Sequence, residues 1–319
     1  MAYTFHGGTH PDDKKAATNK KAIEPMKAPE QVVLPVSMHI GAPAKPVVQK
    51  GDHVYMGQLI AEASGNVSAN VHATVSGTVA AVEPRPHPNG TQVLAVVIDN
   101  DFKDEPDPSL HPLSMEAMTP EQMTEVVKEA GIVGHGGATF PTHVKIQSAI
   151  GKVDTLIING AECEPYITSD HRILLEQTQD VIDGIKILIK ILGVQNGKLA
   201  IEENKADVFP VVEKLLPQDG SIQLCRLKTK YPQGAEKQLI YAITHREVPS
   251  GKLPADAGCA VFNVDTAAAI ARKFKTGMND IRRIVTVSGS AIASPKNLEV
   301  RVGTPIGQVI EAAGGFRED

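Results

Sequence analysis

The chain has no tryptophan, and its three cysteines, Cys163, Cys225 and Cys259, lie far apart with no Cys-x-x-Cys pair among them. That spacing suggests neither a disulfide framework nor a structural zinc site. An iron-sulfur cluster normally takes four thiolates, so the chain by itself is expected to hold none. Long apolar runs are missing as well: the longest, Val181 to Val194, is interrupted by Asp183, Lys186 and Lys190 and is too short to cross a bilayer. The opening Met1-Ala-Tyr-Thr-Phe lacks the charged and apolar organisation of a secretory signal. No basic run interleaved with aromatics occurs, and a net charge of -5 with a pI near 6.1 argues against a nucleic-acid partner. No Ser/His/Asp order, His-Glu-x-x-His motif or paired-carboxylate hydrolase pattern stands out, so no catalytic side chain and no metal ligand is assigned. The chain is therefore expected in the cytosol or lying peripherally on something membrane-bound.

What is present is enough for two or three domains: 319 residues, 42% of them hydrophobic. Residues 1–30, rich in lysine, proline and histidine, read as an arm laid over a neighbouring surface. Residues 31–100 carry short apolar runs punctuated by glycine, which predicts a compact all-β unit. Within it, Gly51-Asp-His-Val-Tyr-Met-Gly-Gln-Leu-Ile60 and Ser76-Gly-Thr-Val79 resemble the two halves of a lipoyl or biotinyl barrel-sandwich domain. Such domains carry their cofactor on a lysine between the halves, yet no lysine occurs from Gly51 through Phe102. A structural or docking role is expected instead. Residues 101–118, with Pro106, Pro108 and Pro112, read as a linker.

Residues 119–276 alternate between strand and helix signals. Thr119-Pro120-Glu121-Gln122 opens a helix with a capping threonine, a first-turn proline and a capping-box glutamine, and Gly131 closes it. Strands are predicted at Val153–Asn159, Lys198–Glu202 and Ile222–Leu227, with helices at about His171–Leu192, Val208–Leu216 and Asp265–Lys275. This order predicts a doubly wound α/β core, with ligands beyond the carboxyl ends of its strands. Residues 277–319 then offer a hairpin, Ile284–Ser288 with Leu298–Val302, and a helix after Thr304-Pro305. Hairpin then helix is the opening half of a β-grasp unit, and a chain ending at Asp319 is expected to be a fragment.

Four segments are candidates to converge on one edge of the sheet: Gly131-Ile-Val-Gly-His-Gly-Gly-Ala-Thr-Phe-Pro-Thr-His-Val-Lys145, Asn159-Gly-Ala-Glu-Cys-Glu-Pro-Tyr-Ile-Thr168, Tyr231-Pro-Gln-Gly-Ala-Glu-Lys237 and Phe262-Asn-Val-Asp-Thr266. Glycines 134, 136 and 137 let a backbone approach a phosphate, Pro141 starts a helix, and Lys145 adds a positive charge one turn in. Together they read as a nucleotide or flavin phosphate site. Singly, each also reads as a turn, a helix cap or a solvated charge. His135 and His143 stand eight apart, unlike a helical metal pair, and read as exposed loop histidines. Cys163 sits between Glu162 and Glu164, a setting that raises its thiol pKa, and reads as a packing residue.

These four loops, with the opening Phe5-His-Gly-Gly-Thr-His-Pro11, resemble the RnfC family, the peripheral subunit of the Rnf ion-translocating ferredoxin:NAD oxidoreductase. More distantly they are similar to the flavoprotein subunit of respiratory complex I. The resemblance covers essentially the whole chain. It implies a doubly wound Rossmann-like core preceded by a barrel-sandwich domain and followed by an incomplete β-grasp (SLBB-like) domain. It also implies FMN held by Gly134, Gly136, Gly137, Lys145, Asn159, Glu162, Gly234, Asn263 and Thr266, with Phe140, Glu164 and Glu236 facing NADH. Hydride transfer at the flavin needs no protein acid or base. The other Rnf subunits become the expected partners, and the cytoplasmic face of the membrane the expected location. Departures from the complex I pattern are His135 for arginine, Thr139 for glycine, and Ala161 and Ala235 at acidic positions, which leave flavin binding better supported than dinucleotide binding. The family also continues into a domain with two tetranuclear iron-sulfur clusters, whose cysteine runs this chain lacks. An NqrA-like subunit of a sodium-pumping quinone reductase and a non-catalytic docking module stay open as alternatives.

Overall fold

A computed structural model describes residues 2–317; Met1, Glu318 and Asp319, the ends of the expected arm and β-grasp portion, lie outside the described residues. The chain forms two compact units. One takes the chain up to Ala22 together with Met118–Thr124 and Lys145–Ala271. The other takes Ile23–Ala117, Glu125–Val144 and the described chain from Arg272 onward.

The first unit is built on a four-stranded parallel sheet ordered Ile222–Leu227, Gly197–Glu202, Thr155–Gly160, Cys259–Asn263. Its strands are the short apolar runs seen in the sequence, with Leu156, Ile157, Ile158, Leu199, Ala200 and Ile201 fully buried, as strands covered by helices on both faces require. Successive strands step outward from Thr155–Gly160 in one direction, and Cys259–Asn263 then returns to its other side. That reversal places a crevice at the carboxyl ends of these two strands.

The long helix expected over 171–192 is two helices, Ser169–Glu176 and Thr178–Leu192, because Gln177 leaves helical geometry (φ -125°, ψ 27°). The Thr178 hydroxyl donates to the Leu174 carbonyl across the break, at 2.6 Å. Thr178–Leu192 buries Val181, Ile185, Leu188 and Leu192 along one stripe, as its spacing predicts. At Gly184 a Cβ would stand 1.9 Å from the Ala267 carbonyl oxygen, so the helix sits directly on backbone there. Gly184→Ala is expected to lower stability by about 1–3 kcal/mol, the usual cost of overpacking. A urea midpoint within error of the parent would show that the backbone yields freely.

The arm does not lie loose. Tyr3 pairs in parallel with Leu227, donating to the Arg226 carbonyl at 2.7 Å and accepting from the Lys228 amide at 2.9 Å, so it covers the edge strand. Thr9 exchanges both backbone hydrogen bonds with Tyr231 at 2.8 Å.

In the second unit, two antiparallel sheets enclose a core of Val32, Leu34, Val54, Ile60, Val75, Val79, Val96 and Ile98. One sheet runs Gln31–Pro35, Gln92–Asn100, Gly77–Pro86, His53–Val54; the other runs Lys45–Pro46, Leu59–Glu62, Val71–His72. The expected linker is packed: Met56 donates to the Glu105 carbonyl at 2.8 Å, and Leu113 to that of Phe274 at 2.7 Å. The hairpin Arg282–Val287 with Lys296–Arg301 gains a third strand from Ile23–Pro25, parallel to Lys296–Arg301, and is followed by helix Ile306–Ala312. Residues read as arm thus serve as sheet, because an extended Ile-Glu-Pro segment can end a ladder on an edge. Among the described residues, no helix is long and apolar enough to cross a membrane.

Candidate functional site

The crevice of the first unit is organised by two asparagines. Asn159 and Asn263 are register partners at the carboxyl ends of adjacent strands. The Asn159 side chain accepts from the Ala161 amide at 3.1 Å and donates to the Gly234 carbonyl at 2.8 Å. Asn263 accepts from the Asp265 and Thr266 amides at 2.8 and 3.4 Å, capping helix Val264–Thr276, and donates to Asp170 at 2.6 Å. Each side chain therefore turns its own loop and ties it to another. Gly234 completes the junction: its amide donates to the Cys163 sulfur at 3.3 Å, and a Cβ there would stand 3.3 Å from both the Ala161 Cβ and that sulfur. Burial is the main cause that pushes the Cys163 thiol up, with the charges of Glu202 and Glu164 adding to it.

Lys145 belongs to helix Thr142–Ala149. Its ammonium lies 2.5 Å from the Glu236 carboxylate, the first residue of helix Glu236–Thr244, and 5.6 Å from the centre of the Phe262 ring. Both side chains of the pair remain about one-third exposed, at 32% and 38%. The residues assigned to flavin phosphate and to dinucleotide are thus partners of each other.

The acidic loop is held from behind by buried charges, of which Glu162 was named from the sequence and Lys205 and Lys15 were not. Glu162, at φ 49°, turns inward; its carboxylate accepts from the Asp170 amide at 2.6 Å and the His171 amide at 3.4 Å, closing the start of helix Ser169–Glu176. Lys205, fully buried, donates to the Ala161 carbonyl at 2.5 Å and lies 3.8 Å from Glu202. Lys15, from the arm, donates to the carbonyls of Glu164 at 2.9 Å and Ile167 at 2.5 Å. Burial raises the Glu162 carboxyl, with Lys205 and Lys15 opposing it. Burial, then the charges of Glu162 and Asp265, hold Asp170 well above the usual carboxylate range. Glu164, by contrast, is exposed. Lys205 carried a usable signal, since it follows the end of a predicted strand as the acidic loop and the Tyr231 loop do. Lys15 carried none.

The glycine loop belongs to the second unit up to Val144. Its neck is closed by Gly134 donating to the Phe140 carbonyl at 2.9 Å and Thr142 to that of Ile132 at 3.0 Å. Gly136, Gly137 and Ala138 form an exposed tip. Gly137 has φ +115° with open space where a Cβ would be, and Thr139 takes φ 47°. The Thr142 hydroxyl oxygen, in the first turn of the following helix, is buried without a hydrogen-bond partner.

Neither loop histidine is exposed as expected. His135 lies 3.1 Å from Asp280 with both side chains only 2% exposed, and Arg283 reaches Asp280 at 2.6 Å. Although burial opposes its ionisation, Arg283 and His135 hold the Asp280 carboxyl well below the usual range. His143 is 5% exposed, and burial, then Lys128, lowers its pKa. An imidazole given a carboxylate partner or an apolar wall buries readily, which loop position alone does not reveal. Among the described residues, no group of three or more His, Cys, Asp or Glu side chains is arranged to hold a metal.

A barrel-sandwich fold, an α/β unit with loops at a switch point of its sheet, and a β-grasp hairpin define a modular protein whose α/β unit has the strand-end edge at which such folds take ligands. Family models agree module by module: residues 3–103 match the RnfC barrel sandwich hybrid domain, 127–272 the Nuo51 FMN-binding domain and 284–319 the SLBB domain. The chain is 48% identical to the C subunit of the Na(+)-translocating ferredoxin:NAD(+) oxidoreductase complex of Acetobacterium woodii, over 99% of this chain and 72% of that one. It is 47% identical to the C subunit of the proton-translocating ferredoxin:NAD(+) oxidoreductase complex of Clostridium ljungdahlii, over 100% of this chain and 70% of that one. The chain belongs to this family, RnfC. A crystal structure of air-oxidized NAD+-reducing [NiFe]-hydrogenase shares the fold, with a TM-score of 0.56 and 24% identity over 64% of this chain and 40% of that one.

Proposed function

We propose that this chain is a redox subunit of an ion-translocating ferredoxin:NAD oxidoreductase that holds FMN and exchanges hydride with NAD(H). The observation that carries the reading is the Asn159/Asn263 pair, in register at the reversal of the sheet and tied to the Gly234 turn. Its support is membership in the RnfC family and a match to an FMN-binding model that contains every proposed cofactor residue.

The residues suit a flavin phosphate. Gly137 leaves its tip open, the Thr142 hydroxyl lacks a partner, and Lys145 offers a half-buried ammonium on the helix that the glycine loop leads into. Bound FMN would supply the step from two-electron hydride transfer to single-electron transfer. In our assignment Gly134, Gly136 and Gly137 keep side chains out of the approach, and Lys145 neutralises phosphate. Asn159, Gly234, Asn263 and Thr266 shape the cradle, while Glu162 acts from inside by fixing the Asp170–His171 helix start. Phe140, Glu164 and Glu236 take the dinucleotide side.

The other subunits of the complex are the proposed partners, and peripheral attachment at the cytoplasmic face of the membrane the proposed location. The two tetranuclear clusters expected of the family are not assigned to any residue here. Titrating the purified chain with FMN, then adding NADH without oxygen while following flavin absorbance, tests the reading. Binding followed by bleaching is expected. Failure to bind flavin would overturn it and favour a docking module; binding without bleaching would remove the dinucleotide half of the assignment.

A further inference from the structure

We propose that Lys15 makes the N-terminal arm a working part of the acidic loop, as a positioning residue that holds Ala161–Thr168 in its ligand-facing shape; the dinucleotide consequence rests on the function proposed above. The arm runs along this loop through four successive contacts. Asp13 accepts from the Tyr166 amide at 2.8 Å, and Lys15 donates to the Glu164 and Ile167 carbonyls. The Thr18 and Thr168 hydroxyls meet at 2.8 Å, and Arg172 donates to the Asn19 carbonyl at 3.2 Å.

Lys15 is only 4% exposed. A buried ammonium costs several kcal/mol unless its protons are satisfied, so its place is specified by what it binds. Here two carbonyls of one short loop satisfy it, with the Glu162 carboxylate 4.0 Å away. Drawing the carbonyls of 164 and 167 inward leaves the side chains of Glu164, Tyr166 and Ile167 outward, the last two 44% and 39% exposed. Tyr166 takes φ 70°, which an aromatic residue seldom adopts without restraint. Asp13 and Lys15 supply that restraint from either side. Lys15 need not touch the dinucleotide; it sets where Glu164, the residue assigned to it, stands.

Of the flavin residues only Glu162 lies in this loop, and its carboxylate is taken up by the Asp170 and His171 amides, so the two ligands should respond differently. In Lys15→Met of the full chain, we expect amide hydrogen exchange across 163–168 to rise about tenfold without ligand, while strand Gly197–Glu202 keeps its protection. With FMN loaded, NADH should bind about tenfold more weakly and FMN within about twofold of wild type, a split that general destabilisation would not give. Lys15→Arg, which keeps charge and donors, should restore most of the protection. If Lys15→Met does not fold, Lys15→Gln, uncharged and able to serve one carbonyl at most, gives the same readouts. Unchanged exchange at 163–168 overturns the proposal, as does a loosened loop with unchanged NADH affinity. Wild-type protein that binds neither FMN nor NADH would overturn the functional reading instead, and the exchange measurement would still decide whether Lys15 orders the loop.

Discussion

Lys145→Met is expected to weaken FMN binding about 10- to 100-fold, corresponding to roughly 1.5–3 kcal/mol for a hydrogen bond to a charged group. The ammonium is poised rather than sequestered: Glu236 holds it at 2.5 Å, yet the pair is about one-third exposed. A pair so exposed contributes roughly 0.2–1 kcal/mol, so an arriving phosphate displaces Glu236 at little cost. The same geometry gives Glu236→Gln the opposite sign for flavin. Removing a carboxylate beside the ammonium frees it and lifts a like-charge repulsion, so FMN should bind severalfold more tightly, while NADH, assigned to Glu236, should bind more weakly. Residues in direct contact are not expected to add, and in Lys145→Met/Glu236→Gln the flavin gain should disappear. Flavin fluorescence titration of the four proteins checks this. Wild-type FMN affinity in Lys145→Met would remove the lysine from the phosphate site.

Two of the loops could be read from the sequence because they begin where predicted strands end, the acidic loop after Val153–Asn159 and the Tyr231 loop after Ile222–Leu227, whereas the glycine loop follows helix Pro120–Glu129. Ile222–Leu227 has the same bounds in both, and the Thr119/Gln122 box forms, with the Thr119 amide donating to Gln122 at 2.8 Å and the Gln122 amide to Thr119 at 3.3 Å. Such signals are local. The ties that make a site of the loops are not: Asn159 to Gly234 and Asn263 to Asp170 follow from strand order and register. Adjacent lysines show the limit most plainly. Lys14 has a side chain 53% exposed and pairs with Asp12, whereas that of Lys15 is 5% exposed and serves carbonyls about 150 residues away. Nothing in their neighbours distinguishes them. His135 is hidden in the same way, since Asp280 lies far along the chain. The helix break at Gln177 has neither proline nor glycine to announce it.

The two units should respond to acid in opposite senses, because the strongly displaced buried groups are raised in the first, Glu202 and Asp170, and lowered in the second, His72 and Asp280. Glu202, 1% exposed at the end of Gly197–Glu202, is pushed up to about 7, chiefly by burial, which Lys205, the Lys230 amide and Lys15 only partly offset while Glu162 reinforces it. Its folded pKa exceeds the ordinary 4.5. The folded state therefore binds more protons, and the stability the group contributes is complete below about pH 4.5 and lost as pH rises through about 7, by roughly 3 kcal/mol. His72 in the other unit is depressed to about 4, by burial and then by the Lys273 ammonium, against an ordinary 6.5. There the unfolded state binds more protons, and a similar roughly 3 kcal/mol is present above about pH 6.5 and lost as pH falls through about 4. Glu202→Gln should therefore gain on wild type between about pH 5 and pH 8, and His72→Gln between about pH 7 and pH 4. Urea unfolding followed by circular dichroism gives the totals, and hydrogen exchange in Gly197–Glu202 and Gly77–Pro86 assigns each to its unit. If Glu202→Gln runs parallel to wild type from about pH 5 to pH 8, Glu202 is ionised in the folded protein throughout, and Lys205 with Lys15 must compensate its burial in full.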